Sequence, residues 1–329
     1  MNKFTINMVI ISLLISFVSV KAQISYHVGV ESGYYSSGGT FGDNNNLLLQ
    51  LNGQLKYIHT TDKTEAKILF EGTPTFYGTT NTLSAVKLKG EASYIQKFDA
   101  FNWGINLIKR NYFYNTDNYN SAIDIYYLQT NVNWRLANNV PVQSTFGLAY
   151  QDIDNDVKQK ADLVFLDNKF AHRFDLYSQL NYGVYVERYV ITNVNKNEGW
   201  RLGPQLGFNH LKSFVFKIDY RFLTHFSDIT TEFSYEHWVR LLTGKLLSER
   251  WSIFLMADYN FRDIKTDPDN SSLAYSLIDS ENHVYMKIAF EPAEHIELSM
   301  NAGYFNENYF INDALLKGWN LTFGIKYGK

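Results

Sequence analysis

The sequence predicts an all-β fold, a transmembrane antiparallel β-barrel of about 16 strands with 14 as the fallback, short periplasmic turns and longer extracellular loops. Three observations predict it. Apolar residues recur at every second position through most of the 329 residues, with polar ones between them, and a side-chain period of two is that of a strand. Aromatic residues reach 16% of the chain, yet mean hydropathy stays negative at −0.26. That combination suits a wall with a lipid-facing outer side and a wet inner side. Finally, the connections between segments alternate between tight and long. A soluble β-sandwich is the competing architecture.

The first 22 residues read as a signal peptide and residues 23–329 as a single barrel domain. Lys3 supplies a positive start, Met8 to Val20 an apolar run, and Val20-Lys21-Ala22 small residues before a cut at Gln23. The apolar run is too short for a membrane span of about 20 residues. The chain has no cysteine, which excludes a lipid-anchored lipoprotein and fits an exported protein without disulfides. Without Lys3 and Lys21, 28 basic residues face 33 acidic ones, and there is no basic patch for nucleic acid.

Period-two segments follow in order. Tyr26, Val28 and Val30 open the series, then Leu47 to Tyr57, and Ala66, Ile68 and Phe70. Pro74 suggests a rim or a bulge, because proline cannot donate to a ladder. Val86, Leu88, Ala92 and Tyr94 oppose Lys87, Lys89, Glu91 and Ser93. Phe101 to Leu107, Tyr126 to Trp134 and Val142 to Tyr150 continue the pattern. From Phe170 to Val186 the alternation is unbroken and too long for one crossing of about 9–11 residues. A weak segment before it, Val157 to Leu166, would be a separate strand joined through Asp167-Asn168-Lys169. Six alternating stretches between Trp200 and Tyr304 precede the last strand, GWNLTFGIKYGK.

Tight connections fall at 60–63, 98–100, 137–141, 209–212, 244–249 and 291–294, and longer ones at 36–45, 115–120, 192–198, 264–279 and 306–316. Short turns belong on the periplasmic side, so both termini lie there and the strand count is even. That parity selects 16 strands and requires Val157 to Leu166 to be one of them. The last strand is then expected to pair with Tyr26 to Tyr35 and close the sheet. Trp319 and Tyr327 are expected to sit near the two membrane interfaces.

The polar faces hold the candidate functional residues. Lys87, Lys89, Glu91 and Arg135 line one set of strands. Asp219, Arg221, His225 and Ser227 share a second, Glu232, Glu236 and Arg240 a third, and Arg250, Asp258 and Arg262 a fourth. Opposite charges within cross-strand reach are expected to form a ladder in the lumen, structural or solute-selecting. Asp219, His225 and Ser227 also contain the residue types of a nucleophilic triad, but no G-x-S-x-G accompanies them, and His225 reads as a solvated rim residue. Asp152, Asp154 and Asp156 resemble the first half of a calcium loop. Val157 stands where that loop needs glycine, so a solvated hairpin tip is the better reading. No P-loop, dinucleotide fingerprint or zinc-ligand spacing is present, so no cofactor is expected. The chain is too short for a plug domain and 22 strands.

With its leader, its aromatic-rich alternating strands and its terminal strand, the sequence resembles the outer-membrane β-barrel proteins of Gram-negative bacteria, a porin-like class. The terminal strand is similar to the class's assembly signal, although Gly328-Lys329 follow the aromatic Tyr327. The resemblance implies residence among outer-membrane lipids, insertion by the barrel-assembly machinery and a role in permeability. The leading expectation is a porin-like channel for small polar solutes. A structural or secretion-associated barrel with a filled lumen is the alternative, and a lipid-modifying enzyme the third.

Overall fold

The computed structural model describes residues 22–328 apart from 40–43, 79–83, 117–118, 137–139, 155–158, 193–195, 229, 266–281 and 310–313. Residues 1–21, where the sequence suggests a signal peptide, lie outside the described residues. The described chain is sixteen strands in one closed antiparallel barrel, each paired with its sequence neighbours and β1 with β16. The strands are β1 (Ala22–Gly39), β2 (Asn44–Thr60), β3 (Thr64–Gly78), β4 (Ser84–Lys97), β5 (Phe101–Thr116), β6 (Tyr119–Arg135), β7 (Pro141–Asp154) and β8 (Gln159–Arg173). They continue as β9 (Ser178–Thr192), β10 (Lys196–Leu211), β11 (Val215–Ser227), β12 (Ser234–Leu246), β13 (Trp251–Asp263), β14 (His283–Ala293), β15 (Ile296–Tyr309) and β16 (Ala314–Gly328).

The closing seam pairs His27 with Gly328 at the turn end and runs to Gly39 opposite Leu316. Trp319 and Tyr327 lie on the outer face of β16, as the terminal pattern predicts. Trp319 packs on Tyr304 at 4.7 Å, and Tyr327 on Tyr26 at 6.2 Å, between ring centres. Around the barrel the outward positions are apolar and exposed, among them Leu49, Phe70, Leu107, Leu206 and Phe323. A continuous apolar surface of this extent is built for hydrocarbon rather than water. No helix among the described residues is long and apolar enough to cross a membrane.

The middle of the chain departs from the sequence reading. The separate strand exists, but it runs through Asp167-Asn168-Lys169 and ends at Arg173. The turn follows directly, at 174–177 between β8 and β9, seven residues later than those turn-like residues. What read as one overlong alternation is therefore two strands and a turn whose apolar residues, Phe174 and Leu176, hid the break. The start of β8 looked weak because Lys160 and Asp162 point outward while Ala161 and Leu163 point in and are buried. That inversion is tolerable only where the wall rises past the lipid. The strands also extend further into the long connections than their alternation indicates.

Pro74 lies inside β3 and marks neither rim nor bulge. The β2–β3 ladder lapses between the Gln50–Thr75 and Gly53–Gly72 pairs and resumes unshifted, while Pro74 stays paired with Val86 on β4. Pro204 does the same in β10, with a gap toward β11 and continuous pairing toward β9. Each proline costs one missing N–H donor and no change of register.

Turn chemistry is clearest at Asp175, between β8 and β9. Its carboxylate accepts from the backbone N–H of Tyr177 at 2.6 Å and of Ser178 at 2.7 Å, and from Ser178 Oγ at 3.1 Å. These donors, the Tyr177 N–H foremost, hold the carboxyl below the ordinary aspartate range. A lowered folded-state value stabilises above the ordinary aspartate value and is lost as pH falls through the lowered one. Asp175→Ala should therefore reduce stability at neutral pH and remove that part of the acid-induced loss, as read by denaturant unfolding at pH 7 and pH 3.

Candidate functional site: the charged lumen

Closure makes every second side chain face inward. The register places Lys89 and Glu91 of β4, Glu187 of β9, Arg201 of β10, Arg221 of β11, Glu236 and Arg240 of β12, and Asp258 and Arg262 of β13 on that inner face. Two cavities lie along it, one of about 330 Å³ beside β6–β13 and one of about 390 Å³ beside β1–β3 and β14–β16.

The first cavity is bounded by a buried ion network. Arg201 donates through Nε and Nη2 to the two oxygens of Glu187, both at 2.9 Å, and through Nη1 to Glu236 Oε1 at 3.1 Å. Glu236 Oε2 lies 3.1 Å from Arg262 Nε and 3.4 Å from His225 Nε2, close enough for ion pairing although neither contact has hydrogen-bond geometry. Tyr185 donates its hydroxyl to Glu187 at 2.6 Å. Arg201 is 4% exposed, Glu187 1% and Glu236 0%, so each charge depends on the others for the solvation it has lost.

Below this network a second set of partners surrounds Asp167. Arg221 donates through Nη2 to Asp167 at 2.9 Å and through Nε to Gln205 at 3.2 Å, and Gln205 donates to Asp167 at 2.5 Å. Lys169 completes the set at 3.1 Å. The Arg221 guanidinium sits 4.6 Å from the Tyr185 ring centre and 5.5 Å from that of Trp238, and the Arg240 guanidinium 4.1 Å from the latter. Asp258 takes both Trp238 Nε1 at 2.5 Å and Arg240 Nε at 2.7 Å.

The second cavity is carboxylate-rich. Glu31 accepts from Asn52 and Asn301, both at 3.2 Å, and from Thr322 at 3.3 Å. Lys89 bridges Glu71 at 3.4 Å and Glu91 at 3.1 Å, Lys67 reaches Glu91 at 2.9 Å, and Lys287 reaches Glu297 at 2.7 Å.

The sequence-predicted residues are thus distributed unequally. Arg221 and Arg240 line the first cavity, with Glu236 and Asp258 bonded to its arginines. Lys89 and Glu91 line neither cavity, and Lys89 reaches Glu71 in the lining of the second. Lys87 lies 5.8 Å from the Tyr112 ring centre, and Asp219 pairs with Lys217 at 3.2 Å. Arg135 is exposed at the turn end of β6. Glu232 is not on a strand face: β12 begins at Ser234, and Glu232 is exposed in the connection before it. His225 is not a solvated rim residue but 4% exposed beside Glu236.

The candidate triad does not assemble, and the candidate calcium loop falls partly outside the described residues. Asp219 stands six residues from His225 on one strand, about 20 Å along it, and Ser227 Oγ meets Thr230 at 3.4 Å. Asp152 takes the Tyr150 hydroxyl at 3.2 Å, Asp154 is exposed, and Asp156 lies outside the described residues. No group of three His, Asp or Glu side chains able to hold a metal ion occurs among the described residues.

Sequence reasoning missed Glu187 and Arg201, which with the predicted Glu236 form the centre of the network. The hairpin places Glu187 directly opposite Arg201, a pairing that a correct turn position would have exposed. The Arg201–Glu236 contact skips β11 altogether, and nearest-neighbour alternation carries no signal for it. A second surprise is apolar. Ile125, Tyr127, Ala149, Ala161, Leu163, Tyr189 and Ile191 form a buried cluster on the inner face of β6–β9, where polar residues were expected.

No family profile matches the sequence, and no curated protein matches it. Among solved structures the chain is similar to CdiB from Acinetobacter baumannii, with a TM-score of 0.50 and 8% identity over 93% of this chain. It spans only 60% of the CdiB chain. The outer membrane protein OprD from Pseudomonas aeruginosa gives a TM-score of 0.45 at 8% identity, covering 93% of this chain and 94% of its own. OpdK from the same organism gives 0.43 at 6% identity, covering 93% and 99%. At these identities the likeness is one of fold, that of the Gram-negative outer-membrane barrels.

The buried network makes a stability prediction. Removing one partner strands the opposite charges, which costs about 3–5 kcal/mol for a buried pair. Glu236→Ala should lose stability in that range by denaturant unfolding, because Arg201 and Arg262 lose a shared counter-ion. Arg240→Ala, in a partly exposed pair, should cost about 1 kcal/mol or less.

Proposed function

We propose that the protein is a porin-like channel of the outer membrane that passes small polar solutes. The observation that carries this reading is a closed sixteen-strand wall whose inner face keeps two polar cavities of about 330 and 390 Å³. Barrels of about 16 strands are wide enough to leave an aqueous channel. Charged side chains on the inner face would select solutes by charge and hydrogen bonding, as lining groups do in other pores. Lys89, Glu91, Arg221, Arg240 and Asp258 are the residues we assign to that role, with Lys87, Asp219 and Arg135 along the approach. The outer face would sit among outer-membrane lipids, with Trp319 and Tyr327 near the interfaces. Its insertion would follow the barrel-assembly machinery's reading of the terminal strand. Residues 1–22 would act as the cleaved export signal.

One observation favours a second reading, a structural or secretion-associated barrel with a filled lumen. The Arg201 network and the apolar cluster on β6–β9 both occupy the interior. Single-channel recording separates the two. Folded protein in a planar bilayer should give discrete conductance steps, and a barrel that inserts without them is filled.

A further inference from the structure

The two cavities differ in chemistry. The one beside β6–β13 is lined by the guanidinium groups of Arg201, Arg221, Arg240 and Arg262, and by the rings of Tyr127, Tyr185 and Trp238. The other has no arginine and no Phe, Tyr or Trp in its lining. Stacking on an aromatic face fixes the plane of a guanidinium and leaves its N–H edge to bind in that plane. Arg221 and Arg240 are held in this way. Of the five N–H donors of Arg221, Nε is bound by Gln205 and one on Nη2 by Asp167.

The opposite side of the same cavity carries neutral hydrogen-bonding groups. Gln129 and Asn131 of β6 and Gln143 and Thr145 of β7 line it, and Thr145 donates to Asn131 at 2.7 Å. Asp167 and Glu187 also line it, but both are buried and their oxygens already accept from Arg221, Gln205, Arg201 and Tyr185. The cavity therefore offers the Arg221 guanidinium to an anionic group, amides to hydroxyls, and flat apolar faces to ring C–H bonds. Its volume of about 330 Å³ lies at the small end of ligand pockets, enough for a single ring.

We infer that this cavity is a subsite for a small polyhydroxylated anion, a monosaccharide bearing a carboxylate or a phosphate group. The inference rests on the channel reading and names the solute class that the channel would favour. Guanidinium forks match both anionic groups, so either acid satisfies the site. A flat aromatic acid would also meet the guanidiniums and rings. It would, however, press its apolar edge on Gln129, Asn131 and Gln143 and leave their amides without partners, a penalty that a hydroxylated ring avoids.

Calorimetry on the folded barrel in detergent tests this with four probes: glucuronate, glucose 6-phosphate, glucose and benzoate. At least one of the two sugar acids should bind about tenfold or more tightly than glucose and than benzoate, and which one does identifies the acid group. Arg221→Gln should weaken that binding about tenfold or more. Should that variant lack the heat-shifted gel band of a folded barrel, Trp238→Leu serves with the same expectation, and the ranking on the unaltered protein decides alone if both fail. Benzoate binding as tightly as the better sugar acid, neither sugar acid binding more tightly than glucose, or an unchanged affinity in a folded variant would overturn the subsite. Binding is read without flux, so a barrel that binds glucuronate yet conducts nothing refutes the channel and spares the subsite. A conducting barrel that prefers benzoate does the opposite.

Discussion

A wall that crosses hydrocarbon must satisfy every backbone N–H and C=O internally, because no water is available to take the remainder. In this protein the β1–β16 seam meets that requirement, since an open edge would expose a strand's worth of unpaired groups to lipid. The other features follow from it. Closure converts the period of two into an inside and an outside, and antiparallel register keeps each residue on its side. At Pro74 and Pro204 the lapse faces one neighbour only, and the ladder resumes in step, whereas between Phe290 and Ala293 the β14–β15 pairing shifts register by one residue beside the turn. Even the two-residue turn between β14 and β15 follows this demand. His295 takes a φ of 70°, a left-handed conformation unusual for a residue with a side chain, so that Ala293 and Ile296 can pair.

Inside, the same geometry brings charges together that lie far apart in sequence. Glu31 and Asn301 are 270 positions apart and meet across the seam at 3.2 Å. Arg201 reaches Glu236 over an intervening strand. Such contacts stiffen the wall where the lumen cannot be packed like a soluble core. They also divide the interior into a guanidinium-rich side with aromatic faces and a carboxylate-rich side without them. Because Arg201, Glu187 and Glu236 are almost wholly desolvated, their value lies in being complete, and loss of one partner costs more than loss of the set.

Most of the architecture was legible in the sequence because a two-residue period is a local signal. Val86 and Leu88 pointed to one face, and Lys87, Lys89 and Glu91 to the other, from their spacing alone. The closing strand was legible for the same reason, since Trp319 to Tyr327 keeps the period to its end. Failures came where local composition misled. Asp167-Asn168-Lys169 has turn residues but sits mid-strand, its aspartate held by Arg221 and Gln205, while the turn at 174–177 carries Phe174 and Leu176. His225 read as a rim residue because nothing local announces Glu236 on the next strand. Glu232 has the parity of an inner residue but precedes the strand that would have aimed it. The apolar inner cluster around Ile125 and Ile191 was invisible for a different reason. A barrel's inner face is expected to be polar, and only the three-dimensional meeting of β6–β9 shows that part of it is packed.

The central claim is that the two faces of each strand meet different media, lipid outside and water within. The chain has no cysteine, so single cysteines can be placed along β12 without background. A charged, membrane-impermeant thiol reagent applied to the protein in lipid vesicles should label Arg240→Cys and Leu242→Cys and spare Val239→Cys and Leu241→Cys. Protection of all four positions would mean a filled interior, and labelling without alternation would contradict the barrel register itself.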